Sequence, residues 1–410
     1  MEKNENIVTN ANKSGHEKRN VPTLRFKEHT DEWHKFALSD FVTRITRRNK
    51  NNESSLPLTI SAQYGLVDQI TFFNKTVASV DLSGYYLLYN GDFAYNKSYS
   101  NDYAWGAVKR LDKYDKGCLS SLYFVFRPTD KVNSDYLTHY FETSKWHKGI
   151  SDIAGEGARN HGLLNIAVED YFATQHYLPS LPEQKKIANF LNLITKRIEV
   201  QNKIISKYET LIKGISYDYF SKQPDYTTKL ENLILKGKAG GTPSSTVAEY
   251  YDGNIPFLSI SDMTKQGKYV KSTEKHISES GLANSSAWIV PSKSLILSMY
   301  ASVGLVCINT VPLVTSQAMF SMVLKDCKML DYIYYYLNFF RETQIHRLLE
   351  TGTQSNINAD TVRHIEIAFY SNISILVKTL QAIEHRLNNE KDILSRLMDL
   401  KTYLLSNLFI

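Results

Sequence analysis

Apolar residues recur at alternating spacings of four and three through two long stretches of this chain. The first stretch reads Ile187, Leu191, Ile194, Ile198, Gln201, Ile205, Tyr208, Ile212, Ile215 and Tyr219. The second begins 189 residues later and reads Leu376, Leu380, Ile383, Leu387, Glu390, Leu394, Leu397, Lys401, Leu404 and Leu408. A 3.5-residue period held over more than four heptads is the pattern of a coiled-coil seam, not of an ordinary surface helix. Gln201 and Glu390 interrupt the two seams at the same place. If the helices pair antiparallel, a buried polar pair there would set register at some cost in stability.

The segments ahead of the two helices also repeat. In the first copy, residues 33–42 predict a short helix. Strand-like runs follow at 58–61, 85–89 and 122–126, each bounded by Gly, Asn, Asp or Pro. Residues 135–143 predict a helix with Tyr136, Leu137, Tyr140 and Phe141 on one face, and a glycine-rich polar loop spans 154–162. In the second copy, Trp288, Ile289 and Val290 match Tyr86, Leu87 and Leu88. Asp331, Tyr332 and Ile333 match Asp135, Tyr136 and Leu137 at an offset of 196, and a second polar loop covers 351–356. Pro182 suits the first turn of the first long helix, and Pro224 stops it. The expected class is α+β, with two pseudo-symmetric globular units joined by two long helices in an antiparallel coiled coil. The boundaries read as a disordered arm at 1–20, a first unit at 21–180, a central helix at 181–222, a second unit at 223–373 and a C-terminal helix at 374–410.

Composition narrows the picture a little. At 410 residues, 42% apolar and 22% charged, the chain is long enough for two or three cores of ordinary makeup. A net charge of +6 permits an anionic partner without demanding one. Three cysteines without a paired spacing fit a reducing compartment, and the polar first twenty residues carry no secretory core. No charge occurs from 294 to 324, but Ser, Gly, Asn and Pro interrupt that run, so it reads as buried strands rather than a membrane span.

Catalytic signatures are missing. The sequence contains no GxxxxGK[ST] loop, no strand-borne GxGxxG, no Pro-Pro for a methylase motif and no HExxH. Basic and hydrogen-bonding side chains are grouped in loops instead. Arg44, Arg47, Arg48 and Lys50 share one, Lys109 and Arg110 another, and Lys97 lies among Tyr95, Asn96, Ser98 and Tyr99. Arg159, Asn160 and His161 in the first polar loop, and Gln354, Ser355 and Asn356 in the second, could reach base edges while nearby cations neutralise phosphates.

Three passages resemble the DNA-specificity subunits of type I restriction–modification systems. One is Ala239, Gly240, Gly241, Thr242, Pro243 and Ser244, followed by Tyr250 to Gly253 and Ile255 to Leu258. The second comprises residues 60–67 with 91–98, and the third is Leu181, Pro182, Glu183, Gln184, Lys185, Lys186, Ile187 and Ala188. The first unit departs from the pattern, with Thr43, Arg44, Ile45 and Thr46 in place of the Gly-Gly-Thr-Pro-Ser opening, and the second long helix lacks a Leu-Pro-Glu-Gln start. The resemblance implies a non-catalytic, cytoplasmic subunit whose two target-recognition domains each read half of a bipartite double-stranded DNA sequence. It also implies that the helices act as spacer and as dock for two modification subunits. Those partners would carry S-adenosylmethionine, while restriction/motor subunits would bring ATP and Mg; the chain itself needs no cofactor, metal or membrane. Lys238, Thr242, Ser298 and Tyr300 complete the candidate DNA-contacting set. The rival readings are a self-sufficient methylase or nuclease, and a coiled-coil scaffold that binds protein.

Overall fold

A computed structural model describes residues 7–9, 20–75, 77–155, 162–348 and 356–410. The chain divides into two compact units, Met1–Asn202 with Asp392–Ile410, and Lys203–Lys391.

Among its described residues the first unit has twelve strands. They are β1 (Ile7–Thr9), β2 (Leu24–Phe26), β3 (His34–Ala37), β4 (Val42–Arg44), β5 (Leu58–Ser61), β6 (Gly65–Asp68), β7 (Tyr86–Tyr89), β8 (Phe93–Asn96), β9 (Ala107–Arg110), β10 (Lys116–Leu119), β11 (Phe124–Pro128) and β12 (Gln175–Leu178). Helices α1 (Gln69–Phe73), α2 (Ser134–Tyr140), α3 (His147–Ile153) and α4 (Val168–Ala173) lie between them, and α5 (Leu181–Phe220) starts here. The central sheet has the order β4-β11-β8-β9, antiparallel throughout, and β12 pairs with β3 beside it. Asn133 caps α2 by accepting the Tyr136 N–H, so the helix starts where its apolar face begins. That face, Tyr136, Leu137 and Tyr140, joins Ile187, Ala188 and Leu191 of α5 and Leu404, Leu408 and Phe409 at the end of the chain in one core. The Phe409 ring lies 5.3 Å from that of Tyr136 and 6.0 Å from that of Tyr140.

The second unit repeats the plan. Its strands are β13 (Tyr226–Lys229), β14 (Ile234–Ala239), β15 (Ile255–Leu258), β16 (Tyr269–Val270), β17 (Lys275–Ile277), β18 (Leu295–Ser298), β19 (Val306–Asn309), β20 (Val314–Thr315), β21 (Met319–Leu324) and β22 (Glu366–Phe369). Its helices are α6 (Ile260–Gln266), α7 (Glu279–Ala283), α8 (Leu330–Thr343), α9 (Ala359–Arg363) and the start of α10 (Ile373–Asn407). The sheet order β14-β21-β18-β19 places first, fourth, second and third strands as in the first unit, and β16 adds a parallel edge beside β19. The flanking pair β13 with β22 corresponds to β3 with β12. Four strands, β18 to β21, occupy the charge-free run, and most of their residues are buried, as an uncharged sheet centre requires. Phe220 at the end of α5 and Leu376 and Leu380 at the start of α10 pack on Tyr332, Ile333, Tyr336 and Phe369. Thus the first unit holds the beginning of α5 with the end of α10, and the second holds the end of α5 with the beginning of α10. On the seam, Gln201 is buried and Glu390 half-buried.

Three expectations need correction. Residues 33–42 form β3 and a 3₁₀ turn at Leu38–Asp40 rather than a helix, because the distant strand β12 supplies hydrogen bonds that a local pattern does not reveal. Part of the arm expected to be disordered, Ile7–Thr9, pairs with β2. Val290 makes an isolated bridge to Leu313, so the 288–290 segment is not a strand like β7.

Candidate nucleic-acid interface

Antiparallel register collects loops at one end of each sheet. In the second unit Ala239, at the end of β14, faces Phe320, while Ser298, at the end of β18, faces Met319 at the start of β21. The chain leaving β14, the chain leaving β18 and the chain entering β21 therefore meet. Gly241 donates its N–H to the Thr315 carbonyl at 2.9 Å, and Gly240 donates to Met319 at 3.1 Å. A Cβ on Gly240 would stand 2.0 Å from the Thr315 oxygen, and one on Gly241 2.4 Å from the Ala287 nitrogen. The paired glycines are thus needed for close passage of three backbones. Beyond them, exposed Thr242 donates its hydroxyl to Gln317 Oε1 at 2.5 Å, and exposed Lys238 reaches the Ser286 carbonyl at 3.2 Å.

The loop after β18 turns sharply, with Ala301 and Ser302 at φ of 38° and 43°. Such values strain side-chain-bearing residues and persist only where surrounding bonds enforce them. Here Ser298 Oγ donates to the Ser302 carbonyl at 2.7 Å and accepts from the Leu305 N–H at 3.1 Å. The turn exposes Tyr300. Ile357 donates to the Met299 carbonyl at 3.1 Å, which brings half-buried Asn356 beside that loop.

The first unit builds the same end from other residues. The loop leaving β8 is strapped by residues 162–164: Tyr99 donates to Gly162 at 3.0 Å and Leu164 to Lys97 at 2.9 Å. Lys97 Nζ lies 4.8 Å from the centre of the Phe124 ring, and burial pulls its pKa below the usual lysine value. Tyr99 is exposed next to it, as Tyr300 is in the second unit.

The candidates from the sequence therefore separate. Lys97 in one unit, and Lys238, Thr242, Tyr300 and Asn356 in the other, lie at these loop ends. Arg44 and Lys50 are exposed elsewhere, Arg44 in the sheet row of Phe126 and Lys50 in a turn. Arg47 is engaged by the buried Asp92 at 3.0 Å and stacks on Tyr89, and Arg48 lies on the Tyr86 ring. Lys109 and Arg110 sit at the opposite end of the sheet, where Arg110 pairs with Asp112 and Asp135 at 2.6 and 2.7 Å. Ser298 is wholly buried and spent on its turn, which corrects its assignment as a contact. Arg159, Asn160, His161, Gln354 and Ser355 fall outside the described residues. Gln317 is exposed, yet it lies in the charge-free run that reads as buried strands, so the sequence does not mark it as a candidate. Among the described residues no cluster of His, Cys, Asp and Glu could hold a metal, and no helix is long and apolar enough to cross a membrane.

Residues 227–391 match the model of the type I restriction modification DNA specificity domain. The second unit is thus similar to the DNA specificity domain of type I restriction–modification systems. Among curated specificity subunits, MjaIX of Methanocaldococcus jannaschii is 26% identical over 167 residues, covering 40% of this chain and 38% of that protein. HindI of Haemophilus influenzae is 31% identical over 169 residues, covering 38% of this chain and 37% of that protein. Each alignment spans less than two-fifths of the relative's length. The fold agrees over far more: the type I S subunit from M. genitalium superposes with a TM-score of 0.56, covering 95% of this chain and 99% of that one at 15% identity. A structure described as showing complex assembly and conformational transition of the type I R-M system gives 0.55, over 93% of this chain and 98% of that one, at 15% identity. The specificity domain thus coincides with the second unit, and its Gly240 and Gly241 passage belongs to the matched segment.

Proposed function

We propose that the chain is a type I specificity subunit and that each of its units reads one half of a bipartite double-stranded DNA sequence through the loops at its sheet end. The two helices set the gap between half-sites and dock two modification subunits. Methyl transfer from S-adenosylmethionine, and ATP- and Mg-dependent cleavage by restriction/motor subunits, belong to those partners, and the complex works in the cytoplasm. The chain contributes specificity and no catalysis. One observation carries this reading: the same strand order brings the same loops together twice, while the side chains on those loops differ between units. A reader of two different half-sites needs a constant platform and variable donors.

The test is mechanical. Inserting one heptad into each helix at matched levels adds about 10 Å, close to three base-pair steps. Mapping of methylated sites in cells carrying the gene and its partners should then show both half-sites unchanged and a gap longer by about three base pairs. An unchanged gap would remove the spacer role, and binding of S-adenosylmethionine by the chain alone would favour an enzyme instead.

A further inference from the structure

The first turn of the helix after the fourth sheet strand carries an aspartate in both units, Asp135 on α2 and Asp331 on α8. In each unit that aspartate is reached by a cation and a carboxamide of different origin, and Asp331 Oδ1 also accepts from the Tyr269 hydroxyl at 3.0 Å. A cation reaches one oxygen from the sheet edge: Arg110 Nη1 at 2.7 Å from Asp135 Oδ1, and Lys268 Nζ at 2.7 Å from Asp331 Oδ1. A carboxamide reaches the other oxygen from the long helix: Asn192 of α5 donates to Asp135 Oδ2 at 3.0 Å, and Gln381 of α10 donates to Asp331 Oδ2 at 2.9 Å. Asn192 and Gln381 are separated by 189 residues, the seam offset, and Asp135 and Asp331 by 196, the offset of the units.

The side chain one turn along repeats the link. His139 Nε2 meets Asn192 Oδ1 at 2.8 Å, and Tyr335, 196 residues on, donates to Glu384 of α10 at 2.6 Å. Lys268 also pairs with Glu384 at 2.7 Å and lies against the Tyr334 and Tyr335 rings. The cations are not sequence equivalents. Arg110 ends β9, whereas Lys268 precedes β16, the extra strand hydrogen-bonded to β19. The position matching Arg110 by strand order, Asn309, is buried and bonded within its own turn. One electrostatic link is therefore supplied from two unrelated places in the sequence, which general packing does not require.

We propose that this sheet-cation, aspartate and helix-amide chain is a positioning device that fixes each unit's orientation on the long helix, with Asp135 and Asp331 at its centre. The inference rests on the DNA-reading function above, because orientation matters only if the loop end must meet the groove at a set angle. Charged hydrogen bonds with a planar acceptor constrain direction more than apolar contacts do.

The test uses the full chain with Cys327→Ser, spin-labelled at Leu235→Cys on β14 and Leu211→Cys on α5, both exposed and in the same unit. Lys268→Met should broaden the label-to-label distance distribution, and Lys268→Arg should restore it, since arginine fills this role in the other unit. In the modification complex, Lys268→Met should cut the preference for the natural gap over one altered by a base pair by roughly tenfold, as small misplacements do in oriented reactions. A lower melting temperature with distances and gap preference unchanged would reduce the cluster to simple stabilisation and overturn the proposal. If Lys268→Met does not fold, the exposed Gln381→Ala decides by the same two readouts. If the unaltered complex shows no gap preference, the DNA reading fails, while the distance measurement still judges the device.

Discussion

The two units hold the same turn with different chemistry. Between β7 and β8, Gly91 takes φ 87° and the next residue, Asp92, is buried; Lys293 takes φ 60° ahead of β18, and the next residue, Ser294, is buried. In the first unit the turn is pinned by charge: Asp92 accepts from the Tyr89 N–H at 2.8 Å, from Arg47 at 3.0 Å and from Arg127 at 2.6 Å. In the second it is pinned by a neutral amide, as Asn309 accepts the Ser294 N–H at 2.8 Å and donates to the carbonyls of Pro291 and Val311. Backbone path is retained while the groups that enforce it are exchanged. Two sheets of one strand order can in this way share little sequence, and the family match covers only the second of them.

The comparison breaks most visibly at Asp92. Removing it leaves two guanidinium groups facing a buried void, so Asp92→Ala should cost about 3 kcal/mol, the low end for a broken buried pair because both arginines are partly exposed. Urea unfolding followed by amide exchange should place the loss in the first unit. Asn309→Ala should weaken the second unit instead, and only the Asp92 variant should respond to added salt, since only it alters a charge pair. Equal salt responses would mean that the two turns do not differ in the way described.

How much of this was legible in the chain depends on whether the causes are local. The helices could be read from their seams, because Leu191 and Leu380 repeat a spacing that only a helix buries on one side. The second-unit strands could be read from Val and Ile clusters between turn residues. Residues 33–42 could not, since β12 is far along the sequence. Among the contact candidates, cation type alone could not separate Lys97, on a loop end, from Arg47, whose carboxylate partner lies 45 residues away, or from Arg110, which joins neighbouring Asp112 to Asp135 25 residues away. Ser298 looked like an available donor, yet the strained turn beside it consumes its hydroxyl. Lys268 is not legible as a partner, because nothing in its sequence neighbourhood announces the two distant acids it joins.

A middle-sized effect concerns the loop ends. Lys97→Met and Lys238→Met each remove one cation, and each should weaken DNA binding by the assembled complex about tenfold and lower the salt slope by about one. The two should differ in which half-site suffers. Duplexes with base changes in one half only should be misread in one half by Lys97→Met and in the other by Lys238→Met. Loss spread evenly over both halves would contradict separate reading by the two units.

The smallest effect exploits another exchanged contact. Lys401 of α10 lies 2.9 Å from Glu142, with His139 Nδ1 at 3.5 Å from the same carboxylate oxygen. The matching positions in the second unit are Ile212, by the seam offset, and Asn338, by the unit offset, which cannot form an ion pair. Burial alone would raise the Glu142 carboxyl, but His139 and Lys401 outweigh it and bring the pKa from 4.5 to about 2. A lowered folded-state pKa adds stability above the unfolded value, and that stability disappears as pH falls through the folded one. Lys401→Met should therefore lower first-unit stability at neutral pH by about 1 kcal/mol, since the pair is partly solvated. The gap between variant and parent should shrink as pH drops from 4.5 towards 2, because protonated Glu142 no longer rewards the lysine. Ile212→Met should show no such convergence, and a pH-independent Lys401→Met deficit would assign the contact to the packing of the lysine stem rather than to its charge.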